Sequence, residues 1–166
     1  AADGQIMLLE DQDRSRWNRD KIAEGFALLD KAMRHQRRGP YQVQAAIAAL
    51  HARAKTFADT DWKQIELLYA ALEQLQPSPV VTLNRAVAVS KAHGAAPALD
   101  MIEPLAQRLD GYFHFHGVRG AFLQDLGRNE EAREAFNRAI ALANSPAEAA
   151  HIRMHLDKLQ ANALAK

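Results

Sequence analysis

The feature that most constrains this chain is a series of helical segments separated by single glycines and prolines. Apolar residues recur every three or four positions along nearly the whole sequence, which indicates amphipathic helices. Gly94 and Gly127 stand where helices should end, and Pro40, Pro79 and Pro146 stand where helices should begin. The pattern therefore predicts an all-α fold of about eight helices.

Short polar motifs mark several of the predicted helix starts. Asp61 is followed three positions later by Gln64, and Ser145 is followed three positions later by Glu148. Both pairs fit a capping box, in which the first side chain accepts a hydrogen bond from a backbone amide of the first turn. Ser78, directly before a proline, is expected to cap another helix in the same way.

One segment, HFHGVRGAFLQDLGRNEEAREAFNRAIALANSP, has the spacing of a tetratricopeptide repeat. Gly120, Ala132 and Ala139 are small, so two helices can approach closely there. Phe136 is expected to fill the gap to the next helical pair. Weaker units precede this one, and the series predicts a right-handed α-solenoid of tetratricopeptide-like helical hairpins.

The ends of a solenoid need caps, and the stretch EDQDRSRWNRD is placed to supply one. Residues 1–17 are expected to form a linker and N-terminal cap, and residues 18–166 to form a single helical domain. We expect Trp17 to be substantially buried, and Asp13 and Arg14 to be tied into helix ends. The chain does not begin with Met, so we expect a fragment whose first few residues, about 1–6, come from a linker or are not native.

The bulk composition favours no charged partner. The formal net charge is +1, whereas a DNA-binding domain usually carries a basic stripe. No apolar run reaches the roughly 20 residues that span a bilayer. The chain has no cysteine, which suits a reducing compartment. We therefore expect a cytoplasmic protein with no direct nucleic acid contact and no membrane contact.

The sequence carries no recognisable catalytic motif. It contains no phosphate-binding glycine loop and no nucleophile elbow, so we expect no enzyme and no cofactor. His151 and His155 have the spacing of metal ligands on one helical face, but no third ligand is evident. His114 and His116 are two positions apart and point away from each other on a helix. We therefore expect no metal site.

Asn84 shares a helical line with apolar positions, so its amide is expected to face partly inward. A buried amide needs hydrogen-bond partners. It could bond to a neighbouring helix, or it could clamp the backbone of a bound peptide, with Arg85 and Arg119 as further contacts. The sequence leaves both interpretations open.

Three stretches together carry a family resemblance: LLEDQDRSRWNRDKIAEG, GPYQVQAAIAALHA with DTDWKQIELLYAAL, and PSPVVTLNRAVAV. They resemble the C-terminal tetratricopeptide-like extension of extracytoplasmic-function (ECF) RNA polymerase sigma factors. The resemblance implies a regulatory domain in bacterial transcription initiation. Sigma regions 2 and 4, which bind core RNA polymerase and promoter DNA in such proteins, are absent from this chain.

The implied partners are the protein's own sigma regions 2 and 4, core RNA polymerase, or a regulatory protein. A generic tetratricopeptide peptide-binding scaffold is the alternative, and a small-ligand sensor is a further one. The expected interaction surface comprises Gln12, Asp13, Arg14, Trp17, Tyr41, Gln42, Gln44, His51, Asn84, Arg85 and Arg119.

Overall fold

A computed structural model describes residues 11–34 and 39–164, so the first ten residues of the predicted cap lie outside it. The described part is all-helical, as predicted, with eight α-helices and no strand. None of these helices is long and apolar enough to cross a membrane. They are α1 Arg19–Arg34, α2 Pro40–Arg53, α3 Trp62–Leu75, α4 Pro79–His93, α5 Ala95–Ile102, α6 Phe113–Asp125, α7 Asn129–Leu142 and α8 Pro146–Leu164.

Side-chain caps hold the helix starts that the sequence predicts. The Asp61 carboxylate accepts a 3.0 Å hydrogen bond from the amide three residues on. The Ser78 hydroxyl accepts one of 3.3 Å from the amide two residues on, and the Ser145 hydroxyl accepts one of 3.2 Å from the amide three residues on. Each bond satisfies an N–H that the first helical turn leaves without a partner. These three predicted caps are confirmed.

The described residues form two compact units, residues 11–88 and residues 89–164. In the N-terminal unit, α2 packs against both α1 and α3. One core cluster of this unit consists of Ile47, Ile65, Leu72 and Ala88, which come from α2, α3 and α4. Further apolar side chains pack partly buried against it: Val43, Leu50, Trp62, Leu68, Tyr69 and Val81. This core fixes the relative positions of the three helices.

In the C-terminal unit, α6 and α7 pack closely as a helical hairpin. Ala132 and Ala139 are fully buried, and a Cβ added to Gly120 would lie 2.5 Å from the ring of Phe136. The Phe136 ring also stacks on the His155 ring of α8, with 5.2 Å between the ring centroids. The predicted close approach at the small residues is confirmed for this hairpin, and Phe136 also contacts the helix that follows it.

Backbone geometry explains why glycine and proline lie between the helices. Gly94 and Gly127 have φ values of 96° and 73°, in the left-handed region that favours glycine. Helix α5 ends at Ile102, and a 3₁₀ turn that contains Pro104 follows it. This early end agrees with the absence of an amide N–H in proline.

Candidate functional site

Arg14 joins the N-terminal stretch to α2. Its side chain is buried, with 4% of the residue exposed. Its Nη1 donates hydrogen bonds to the carbonyl oxygens of His51 at 2.8 Å and Ala54 at 2.9 Å, and its Nη2 lies 3.5 Å from the Thr60 hydroxyl. Arg14 therefore occupies the C-terminal end of α2, and the expectation that it is tied into a helix end is confirmed.

The C-terminal end of α2 favours a cation for a physical reason. The last carbonyls of a helix lack intrahelical partners and carry the negative end of the helix dipole. Ala54, the capping residue, has extended backbone dihedrals, so the chain leaves the helix there. Each terminal nitrogen of a guanidinium carries two N–H groups, so Nη1 of Arg14 can donate to both carbonyls at once. Arg14 therefore caps α2 from a distant part of the sequence.

The turn that carries Arg14 is held by local hydrogen bonds. The Asp13 carboxylate accepts from the Ser15 hydroxyl at 2.6 Å and from the Ser15 amide at 3.0 Å, and it caps the 3₁₀ turn Arg14–Arg16. The same two bonds lower the pKa of the Asp13 carboxyl. Asp13 is therefore tied into a helical end, as expected, although it stays exposed to solvent.

Trp17 follows this turn and contacts Arg14. The guanidinium carbon lies 5.1 Å from the centroid of the Trp17 ring, within the range of a cation–π interaction. Trp17 is only partly buried, so the substantial burial expected for it is met in part. Gln12 is also partly buried.

His51 forms part of the surroundings of Arg14. Its ring packs edge to face on Trp62, with 5.3 Å between centroids. Burial, and then the positive charge of Arg14, lower the pKa of the imidazole, because both disfavour a second cation here. The lowered pKa favours the neutral imidazole, and His51 contributes its backbone carbonyl and its aromatic ring to this site.

Two residues of the predicted surface, Tyr41 and Gln42, lie at the start of α2 and have different surroundings. Tyr41 is 83% exposed. Gln42 folds back so that its Oε1 accepts a 3.0 Å hydrogen bond from the Gly39 amide. Gln42 therefore stabilises the helix start, and Tyr41 offers a large amphipathic side chain to solvent.

A half-open cavity of about 290 Å³ lies between α2, α3 and α4, within the N-terminal unit. Gln44 and Asn84 both contribute to its wall. Ile47 and Leu72, which belong to the core, form its apolar part. Among the described residues, the side chains that line this cavity are all uncharged.

The two remaining predicted residues lie in ion pairs. Arg85 donates a 3.0 Å hydrogen bond to Glu73, and its other terminal nitrogen lies 3.9 Å from Glu66. These contacts join α4 to α3. Arg119, in the C-terminal unit, donates a 2.9 Å hydrogen bond to Glu103. Both guanidinium groups therefore have carboxylate partners that the sequence analysis did not assign.

The two histidine pairs differ in their contacts. The rings of His151 and His155 meet edge to face at 5.2 Å on α8. His116 is buried, and its Nε2 lies 2.7 Å from the Asp110 carbonyl oxygen, whereas His114 packs beside Tyr112. No group of three potential ligand residues forms a metal site within the described ranges.

The structure divides the predicted surface into separate places. Arg14, Trp17 and His51 meet at the end of α2, whereas Gln44 and Asn84 meet at the cavity. Sequence reasoning missed Thr60, the buried hydroxyl beside the guanidinium of Arg14. No local signal marks Thr60, because it lies 46 positions from Arg14. That the predicted residues together form one interaction surface stays a prediction.

Comparison with known proteins adds two matches. Residues 1–33 match a family of unknown function, DUF6596. Over 160 residues, the chain is 65% identical to a protein of Rhizobium meliloti (strain 1021) that is described as uncharacterized. This match covers 96% of the chain and 38% of that protein, so the chain spans well under half the length of this relative. No solved structure matches the chain.

Proposed function

We propose that this chain is the regulatory domain of a bacterial ECF sigma factor, with the right-handed tetratricopeptide-like solenoid that the repeat pattern predicts. It would modulate transcription initiation by contacting the protein's own sigma regions 2 and 4, core RNA polymerase, or a regulatory protein. The proposal is supported by the sequence stretches that resemble this family. The proposal also fits the length of the Rhizobium meliloti relative. The match covers 38% of that protein, so most of its length lies outside the match and is available for other regions.

The observation that carries the proposal is the burial of Arg14 at the C-terminal end of α2. Any segment that precedes residue 11 in a longer protein is joined covalently to a turn that is locked onto the helical unit. A force or a new contact on that segment therefore acts on the end of α2 through Arg14 and Trp17. This is how a helical domain could report its state to sigma regions on the same chain.

In this role the domain works in the cytoplasm, catalyses no reaction and holds no cofactor. Promoter DNA would be bound by sigma regions 2 and 4. The contribution of this chain is a set of protein contacts whose strength depends on whether the Arg14 turn is docked.

A binding assay tests this proposal. The gene of the longer protein should encode sigma regions 2 and 4 upstream in the same reading frame, and the isolated regions should bind this chain. Arg14→Ala should change that binding, whereas Arg16→Ala, in the same turn but exposed, should not. Trp17→Ala should act in the direction of Arg14→Ala.

Circular dichroism of each variant distinguishes lost contact from lost folding. An upstream segment that encodes no sigma regions would overturn the assignment. Identical binding by wild type, Arg14→Ala and Trp17→Ala would overturn the proposed role of the docked turn.

One observation favours a second candidate, a tetratricopeptide-like scaffold unrelated to transcription. The cavity of the N-terminal unit combines an apolar floor with the amides of Gln44 and Asn84. Such a combination suits ligand binding whatever protein the domain belongs to.

A further inference from the structure

The cavity between α2, α3 and α4 has the chemistry of a specific binding site. Three of its lining residues, Gln44, Gln76 and Asn84, carry side-chain amides. Within the described part of the chain, these amides make no hydrogen bond to another residue. Each amide carries both a donor and an acceptor, so together they can pair with either kind of group on a ligand.

The floor of the cavity is apolar and continuous with the core. Ile47 and Leu72 are 6% and 2% exposed, and both belong to the buried cluster of the N-terminal unit. Val80 and Val81 add two branched side chains from α4. A surface of this kind favours a branched aliphatic group, because its burial removes apolar area from water.

The lining also favours one class of ligand over others. Among the described residues, no charged side chain lines the cavity. A phosphate, a carboxylate or an ammonium group would lose hydration here and gain no opposite charge in return. The volume of about 290 Å³ corresponds to roughly ten water molecules. The ligand is therefore small or is a small part of a larger molecule.

We infer that this cavity binds an uncharged ligand in which one branched aliphatic group is flanked by amide groups. Two sources offer this chemistry: a free small molecule, and an aliphatic residue within a polypeptide. The inference goes beyond the proposed function and does not depend on it, because it rests on residues 44–84 alone.

Titration of the whole chain with N-acetyl-L-leucinamide, followed by ¹H–¹⁵N NMR, tests the inference. Saturable shifts are expected at the side-chain amides of Gln44, Gln76 and Asn84. N-acetyl-L-leucine, which differs by a free carboxylate, should bind at least about fivefold more weakly because its charge is not paired. A blocked Gly-Gly-Leu-Gly-Gly peptide identifies the source of the ligand. If the peptide binds more tightly than the leucinamide, the ligand is part of a polypeptide. If it binds equally or more weakly, the ligand is a free small molecule.

Variants test which groups hold the ligand. Asn84→Ala and Gln44→Ala should each weaken binding of the leucinamide about fivefold, the effect of one lost hydrogen bond. Asn137→Ala, at an exposed amide of α7, is the matched control and should leave binding unchanged. Thermal unfolding verifies that all three fold.

Three outcomes would overturn the inference. The first is shifts that do not saturate or that lie away from the cavity. The second is equal binding of the amide and the free acid. The third is an Asn84→Ala variant that binds as well as Asn137→Ala.

Discussion

The ring of Phe136 lies directly against the backbone of Gly120. A Cβ at residue 120 would be 2.5 Å from one ring carbon and 2.6 Å from another, closer than carbon atoms approach without a clash. Phe136 is fully buried and also stacks on His155, so the ring has little room to move. The separation of α6 and α7 therefore depends on the absence of a side chain at residue 120.

Gly120→Ala is expected to destabilise the fold by about 1–3 kcal/mol, because the added methyl group overpacks a rigid contact. Gly117→Ala, on the same helix, is the control: its Cβ would lie 3.4 Å from Ile152, an ordinary contact. This second substitution should be neutral or stabilising by up to about 1 kcal/mol, since glycine weakens a helix interior. Urea unfolding measures both, and equal effects would contradict the tight packing at residue 120.

Removal of the Arg14 side chain should destabilise the N-terminal unit. Arg14→Ala leaves two carbonyl groups at the end of α2 without their donor, which should cost about 1–3 kcal/mol. Arg14→Lys keeps the charge but loses the planar fork, so its effect should be intermediate. The exposed Arg16→Ala should stay within about 0.5 kcal/mol of wild type.

Hydrogen exchange localises the effect of Arg14→Ala. Faster exchange is expected in the last turn of α2, with little change in the C-terminal unit. If Arg14→Ala and Arg16→Ala were equally stable, the capping role of Arg14 would be wrong.

The contact of Arg85 with Glu73 should show measurable coupling. The pair is partly buried, with 30% and 22% of the side chains exposed, and the Thr82 hydroxyl donates a further hydrogen bond to Glu73. A double-mutant cycle of Arg85→Met and Glu73→Gln should give a coupling energy of about 1 kcal/mol.

The matched cycle uses Arg133→Met and Glu130→Gln, an exposed pair on α7 with a similar distance of 3.1 Å. Solvent screens this pair, so we expect its coupling to be below about 0.5 kcal/mol. Coupling of the Arg85 pair that does not exceed this value would mean that the pair adds little to the packing of α3 on α4.

His51 should make the stability depend on pH. Its pKa in the folded protein lies below the ordinary value of 6.5, so the unfolded chain takes up a proton first as the pH falls. Stability should therefore decrease as the pH is lowered from about 6.5 toward the folded pKa, with no contribution from His51 above that window. Urea unfolding at several pH values between about 7.5 and 5 measures how the free energy of unfolding changes with pH.

The variant His51→Gln should flatten this slope more than the same replacement at His93, at the exposed end of α4. A slope that is the same in wild type and His51→Gln would show that the ring is not desolvated in the folded state.

Local features were predictable because their causes are local. The caps at Asp61, Ser78 and Ser145 depend on side chains that bond to backbone amides two or three positions away. The hairpin of α6 and α7 was predictable from small residues at fixed spacing, because steric fit between two helices leaves a direct trace in the sequence.

Long-range partners could not be predicted in the same way. Arg14 was expected at a helix end, but its contact with His51, 37 positions further along the chain, depends on how the segment between them folds. The partner of Arg85 on α3 depends on the rotation of one helix against another, and a single sequence does not specify that rotation. The cavity could not be predicted either, because its wall combines Gln44, Gln76 and Asn84 from three segments whose relative positions a single sequence does not specify.

The position of Arg14 also determines how this protein should be dissected. A fragment that starts at Asn18 would retain helices α1 to α8 but would lose the residue that closes the end of α2. Trypsin cleavage after the exposed Arg16 would remove the same group. The cooperative folding unit therefore begins before its first helix, in a stretch that looks like a linker when only its charges are read.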